Sequence, residues 1–345
     1  MIGYYVHHQG RGHLGRMLSV TRHLDVPVTV LSSLCPPAGC ELSWVRLSRD
    51  DEGGAVADPD AGGTLHWAPR HDDGLRERSL QIVRWVAQER PTLVVVDVSV
   101  EVTLLVRLTG TPVVVAAMPG ARTDRPHRTA YDAADALLAP WPRGLGVERW
   151  PAEWTAKTHF VGAIGRFDDR TVPDRPAPDR TGAGRRGLLL WGFGGGAPTD
   201  VQLEGLRAAT PGWTWEVAGA GAVRSQDEIW SALGRADLVV AHGGQNSLAE
   251  IGAARVPAVL VAAPRPFDEQ AHTVRALHRA GIAVGLMEWP DADRWPALVE
   301  RAQDLGGDGW RRWTSGDGAQ RAATALVSHV QQLGGTAGLS PVGTG

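Results

Sequence analysis

The chain has 345 residues, 35 Lys and Arg against 38 Asp and Glu, and a formal net charge of −3. This length supports two domains with full cores, and the near-neutral balance excludes an electrostatic footprint for nucleic acid. No apolar run approaches the roughly 20 residues of a membrane-spanning helix, while peripheral membrane contact stays open. The two cysteines, Cys35 and Cys40, lie in a Pro/Gly loop without a second ligand pair. They fit neither a zinc site nor a disulfide framework and point to a reduced, cytoplasmic setting. Met1 leads directly into strand-like Ile2-Gly3-Tyr4-Tyr5-Val6, without the charged and apolar regions of a secretory leader.

That first strand is followed by His7-His8-Gln9-Gly10-Arg11-Gly12-His13-Leu14-Gly15-Arg16 and a helical segment. Read literally, Gly10 to Gly15 is Gly-x-Gly-x-x-Gly. A dinucleotide site of that kind wants an acidic residue about 20 positions on, at the end of the second strand. Leu31-Ser32-Ser33 stands there instead, so a nicotinamide or flavin cofactor does not fit. Short Val/Leu-rich runs recur at 26–31, 93–97, 113–117, 136–139 and 160–163. Their alternation with helical and loop stretches predicts an α/β domain with a mostly parallel, doubly wound sheet. From 166 to 186 the chain turns to Pro, Asp, Arg and Gly, as a linker does. The alternation restarts at 187–191, 213–218, 238–241, 259–262 and 282–284.

The predicted organisation is therefore an amino-terminal domain over 1–165, a linker over 166–186, a carboxyl-terminal domain over 187–333 and a disordered Gly-rich tail over 334–345. The helical pattern of 311–333 is able to run back toward the first domain. Asp58-Pro59-Asp60 and Asp291-Ala292-Asp293 match Asp-x-Asp, but neither follows a buried strand. They read as solvated acids, and no metal site is expected. Trp141, Trp150 and Trp154 cluster before the linker, where packing is their commoner role.

The most informative stretch is Ala241-His242-Gly243-Gly244-Gln245-Asn246-Ser247-Leu248-Ala249-Glu250. It reads as a strand ending in an anion-binding turn that opens a helix. Gly243 and Gly244 would let backbone N–H groups approach an anion, and Asn246 and Ser247 offer polar groups beside the positive helix end. Glu250, one turn further in, is placed to accept hydrogen bonds from a ribose. An ordinary capped turn is the bland alternative, and it explains neither His242 nor the paired glycines. The next apolar run leads to Pro264-Arg265-Pro266-Phe267-Asp268-Glu269-Gln270, a polar loop at a strand's carboxyl end.

The spacing His242-x-Gly244-x-Asn246-Ser247-x-x-Glu250, followed by Asp268 and Gln270, resembles the signature of the UDP-sugar glycosyltransferases of the GT-B group. A similar helix occurs in the lipid II-forming N-acetylglucosaminyltransferases. The resemblance implies two Rossmann-like domains facing a cleft. It implies that His242, Asn246 and Ser247 hold the phosphates, Glu250 the ribose, and Asp268 and Gln270 the sugar hydroxyls. The Gly-His turn around Gly12 and His13 is similar to the one that opens such enzymes, with His13 as general base and Asp97 as the carboxylate that orients it. At the amino end of a helix, His13 is biased against added positive charge. His7 and His8 read as loop or acceptor-lining residues, and His159 as simply packed.

Gly12 is counted with the donor-binding residues, as are Gly194 and Gly195 of the Gly192–Gly196 loop, where backbone can approach a ligand. Val223 is placed near the base by resemblance only. Four positions depart from the family pattern: Arg16 stands for a proline, Arg255-Val256-Pro257 for Gly-x-Pro, Glu269 is inserted, and Thr273 replaces an asparagine.

The expected activity is inverting, metal-independent transfer from a nucleotide-diphosphate sugar, UDP-linked or dTDP-linked, to an acceptor hydroxyl. The nucleotide sugar is a co-substrate, and no cofactor is expected. The acceptor stays open between a lipid carrier, a small natural product and a glycan. Two alternatives share the pattern: a UDP-N-acetylglucosamine 2-epimerase-like enzyme, and a non-catalytic relative that binds nucleotide sugar.

Overall fold

A computed structural model describes residues 1–52, 56–145, 150–174, 184–192, 196–219 and 225–336. In the first half the elements are β1 (Ile2–Val6), α1 (Arg11–Thr21), β2 (Val28–Ser32), β3 (Ser43–Arg46), α2 (Asp73–Glu89), β4 (Leu93–Asp97), α3 (Val100–Leu108), β5 (Val113–Ala116), α4 (Arg125–Ala133), β6 (Ala136–Ala139), α5 (Ala152–Ala156) and β7 (Thr158–Phe160). The second half has β8 (Arg185–Trp191), α6 (Asp200–Ala209), β9 (Trp213–Gly219), α7 (Gln226–Arg235), β10 (Leu238–His242), α8 (Gln245–Ala254), β11 (Ala258–Val261), α9 (Glu269–Arg279), β12 (Val284–Leu286), α10 (Trp295–Leu305) and α11 (Gly318–Thr336).

All strand pairs are parallel, in a seven-stranded sheet ordered β3-β2-β1-β4-β5-β6-β7 and a five-stranded sheet ordered β12-β11-β10-β8-β9. Parallel strands covered on both faces should be apolar throughout, and β1, β4 and β10 are buried at every position. The first sheet reverses direction between β1 and β4, the second between β8 and β10. Counted within its own domain, the second sheet has the order 2-1-3-4-5, and the first begins 3-2-1-4-5. In both, the crevice for a ligand opens at the carboxyl ends of the two strands flanking the reversal. Register aligns Val6 with Asp97 at the first reversal and Leu190 with Ala241 beside the second.

Several elements differ from the sequence reading. The edge strand β3 is unpredicted, since its four residues are partly exposed and lack a buried apolar run. The run at 160–163 is a strand only at Thr158–Phe160, because Gly162 takes φ 79° and bends the chain. The start of the predicted linker is packed rather than free. Phe167 is buried against Trp230, and the Asp168 carboxylate accepts from the Gly165 and Ala319 N–H groups at 2.9 Å each. This fastens α11, whose Ala319, Ala322, Ala323 and Leu326 enter one core with Tyr4, Met17 and Val20 of the first domain. The helix continues to Thr336, three residues into the predicted tail. Trp141, Trp150 and Trp154 pack edge to face, 5.8 Å between ring centres. Among the described residues, no helix is long and apolar enough to cross a membrane.

Candidate functional site

A cavity of about 2010 Å³ is lined by segments that follow β1, β4, β8 and β10. Pockets for one small molecule run to roughly 300–1,000 Å³, so this one has room for two reactants. Of the sequence-predicted residues, Gly12, His13, His242, Gly244, Asn246, Ser247, Glu250 and Gln270 line it. Asp97 lies fully buried behind His13. Gly243 is absent from the lining, and Asp268 is exposed outside it. Gly194, Gly195 and Val223 lie outside the described residues. Both Asp-x-Asp stretches also fall outside the lining.

At the first reversal, β1 delivers the chain to Gly10, whose φ of 92° makes the turn into α1. His13, three residues on, places Nδ1 2.9 Å from Asp97 Oδ1. Arg16, one turn further along the same face, forks onto Asp97 through Nε at 3.1 Å and Nη2 at 2.8 Å. Burial pushes the Asp97 carboxyl up, but Arg16 and His13 together outweigh it and hold the group well below the usual carboxylate range. An ionised Asp97 accepts only, so Nδ1 of His13 carries its proton toward it, leaving Nε2 as the ring's acceptor. His7 also lines the cavity, and burial, then His13 and His8, lowers its imidazole to about 3.

At the second reversal the glycine pair serves a different purpose from the one expected. Gly244 has φ −72°, an ordinary value, and no positive φ occurs at Gly243. What these positions require is space: a Cβ on Gly243 would meet Val274 at 2.6 Å, and one on Gly244 would run into the His242 ring. Their N–H groups already face side chains of the same domain. Gly243 donates to Gln270 Oε1 at 3.1 Å, and the Gly244 N–H approaches His242 Nδ1 at 2.9 Å. Gln270 Oε1 also accepts from Ala263 at 3.0 Å, so its carbonyl bridges two loops.

His242 likewise turns its ring to backbone. Gly192 N–H approaches Nε2 at 3.0 Å while Gly244 N–H approaches Nδ1. Burial, then Arg265, lowers the ring to about 4, and a neutral imidazole accepts at one nitrogen only. His242 therefore offers one of the two N–H groups no lone pair in either tautomer.

The amino end of α8 has neither a side-chain cap nor an acid in its first turn. Its neighbours α6 and α7 are closed by full capping boxes from Thr199 and Ser225. The first-turn N–H groups of α8 have no partner within the helix. This amino end meets that of α1 so closely that a Cβ on Gly12 or Gly15 would lie 3.7 Å from Asn246 Nδ2. Both helices thus direct their positive ends at one region. Glu250, buried in α8, pairs with Arg166 at 2.9 Å; burial lifts its carboxyl to about 7 against the lowering by Arg166.

Several lining residues escaped the sequence reading. Leu75 and Ile82 of α2, with Val102, Leu104 and Leu105 of α3, give the first-domain wall an apolar face. Phe267 crosses from the second domain. Its carbonyl accepts from the Ala121 N–H at 2.8 Å, and its ring lies 4.4 Å from the Arg122 guanidinium and 4.7 Å from His127. Arg122 also pairs with Glu269 at 3.0 Å, which gives the inserted residue a partner across the cleft. Asp124 joins His66, at 2.7 Å, and His127 into one hydrogen-bonded group beside it. His127 Nε2 faces Arg122 Nη1 at 3.1 Å, so its proton is on Nδ1 and points to Asp124. The signal for Arg16 was available: it stands i+3 from His13 on a helix.

Comparison with known proteins agrees with the resemblance read from the sequence. Residues 219–289 match the model of the glycosyltransferase family 28 C-terminal domain. Over 114 residues the chain is 41% identical to the UDP-N-acetylglucosamine--N-acetylmuramyl-(pentapeptide) pyrophosphoryl-undecaprenol N-acetylglucosamine transferase of Chlorobaculum parvum. That alignment spans 31% of this chain and 30% of the relative. The solved glycosyltransferase of kitacinnamycin superposes with a TM-score of 0.63 at 18% identity, covering 95% of this chain and 98% of the other. MurG of Acinetobacter baumannii superposes with a TM-score of 0.62 at 13% identity, covering 96% and 99%. The chain has the two-domain GT-B fold.

Proposed function

We propose that the protein is a glycosyltransferase that moves a sugar from a nucleotide-diphosphate donor, UDP-linked, to an acceptor hydroxyl, with inversion and without an obligatory metal. The observation that carries this reading is the meeting of the His13–Asp97 dyad with the uncapped amino end of α8 in one cavity.

In this reading Nε2 of His13 takes the acceptor's hydroxyl proton while the oxygen attacks the anomeric carbon on the face opposite the diphosphate. As the carbon–oxygen bond to phosphate breaks, the electron pair leaves with the nucleotide. The growing charge meets the first-turn N–H groups of α8, the side chains of Asn246 and Ser247, and the backbone N–H to which His242 offers no lone pair. Gln270 acts by holding the Gly243 and Ala263 backbone in place, and His242 by holding one of Gly192 and Gly244. Glu250 faces the ribose, and the apolar wall of α2 and α3 favours an acceptor with an apolar body. Glu269 lines the cleft, and Asp268 does not.

A thermal-shift screen of UDP, dTDP and their sugars tests the donor assignment. Selective stabilisation by UDP-sugars is expected; a flat response to every nucleoside diphosphate would remove the reading. Incubation with UDP-N-acetylglucosamine alone separates the epimerase alternative, which would yield the C2 epimer without any acceptor.

A further inference from the structure

Arg16 is 6% exposed and belongs to both sides of the cleft. Its Nε and Nη2 hold the two oxygens of Asp97, and its Nη1 donates to Gln245 Oε1, the first residue of α8, at 2.6 Å. Its Nη2 also lies 3.1 Å from His13 Nδ1. Because that nitrogen carries a proton toward Asp97, the last contact sets a cation against the ring, which also faces the His7 ring at 6.2 Å between centres. The planar guanidinium fork suits this threefold task, and a lysine could not reproduce it.

We propose that Arg16 is the positioning residue of the His13–Asp97 dyad: it fixes the carboxylate, sets its own charge against the imidazole, and through Gln245 ties the dyad to the donor-side helix. The proposal rests on the reading of His13 as the base, yet its electrostatic content is measurable without any substrate.

Two consequences follow from the geometry. Loss of the guanidinium charge leaves His13 facing an unshared carboxylate, which favours imidazolium. Loss of Gln245 leaves the fork on Asp97 but frees Nη1, so the ring keeps its electrostatic partner while the tie to α8 is cut.

The test is a pH titration of the His13 ring, followed by NMR of the full chain labelled at histidine carbons and assigned with His13→Gln. In Arg16→Met the His13 midpoint should rise by about one to two pH units. Arg16→Gln, polar and less disruptive beside a buried carboxylate, carries the same measurement if the methionine variant does not fold, and its midpoint should also rise. Arg16→Lys should return the midpoint toward wild type by restoring the charge. Gln245→Met should leave it in place. An unchanged midpoint in folded Arg16→Met or Arg16→Gln overturns the proposal, as does an equal rise in Gln245→Met. A separate failure of sugar transfer in all proteins would instead count against the glycosyltransferase reading, with the titration untouched.

Discussion

Each domain buries one carboxylate at its chain reversal, and the two are treated in opposite ways. Asp97 stands between a guanidinium fork and an imidazole and stays ionised despite full burial. Among the described residues Glu250 has a single partner, the partly exposed Arg166, and burial carries it to about 7. A base dyad needs a resident negative charge, since the imidazolium formed when the proton arrives must be stabilised at once. A site that awaits a diphosphate needs the reverse: neutral groups, donors and helix ends, with no fixed anion to repel the ligand. The neutral His242 and the acid-free first turn of α8 follow that second plan.

The contrast is broken most severely at Asp97. Asp97→Asn removes the charge and offers His13 an amide that favours the wrong tautomer. Transfer should fall by about 10²- to 10⁴-fold in single-turnover measurements. UDP affinity by calorimetry should stay within about twofold, because the change lies on the acceptor side. Comparable losses in both quantities would merge the two sites into one and undo the division.

Glu250 sharpens the comparison through pH. Its folded carboxyl is raised above the ordinary range, so the folded state binds the proton more tightly than the unfolded one. Stability is thus unaffected below the ordinary carboxylate range, declines as pH rises toward about 7, and is level above it. Glu250→Gln should therefore stabilise the protein at pH 8, by at most about 3 kcal/mol, and leave it near wild type in mild acid. Paired denaturant melts at the two pH values read this directly. A destabilised variant at pH 8 would mean that the Arg166 pair outweighs the burial cost.

Much of this plan was legible in the chain. Buried parallel strands announce themselves as Val/Leu runs, and 93–97 and 136–139 were bounded correctly by composition alone. His13 and Asp97 were singled out because each stands at or after the end of such a run, and a doubly wound sheet brings strand ends together at its reversal. The purpose of Gly243 and Gly244 was not legible. Sequence shows that a side chain is missing, whereas the reason lies in Val274 and in a folded-back His242 ring. Arg16 and Gln245 lie 229 positions apart, and nothing local signals that one completes the other's hydrogen bonding. The α2 and α3 leucines had the same difficulty, since an apolar helix face looks alike whether it meets a core or a cavity.

The smallest expected effect concerns the strap that joins the two regions. Phe267 and Asp268 adopt φ of 60° and 53°, values that cost a non-glycine residue about 1 kcal/mol each. Something must repay that strain, and the contacts of Phe267 with Ala121, Arg122, His127 and His66 are available sources. Phe267→Ala removes the ring contacts, about 0.5–1 kcal/mol for the cation–π pair, and keeps the unfavourable backbone. Exchange of the Ala121 amide with solvent should accelerate by a few-fold, with little change in global melting, because only the seam between domains is loosened. Phe267→Gly loses the same ring but relieves the left-handed geometry, so its exchange should fall between the alanine variant and wild type. If both variants exchange alike, strain has no part in the seam, and the Ala121 hydrogen bond with the Arg122–Glu269 pair is enough to hold the two domains together.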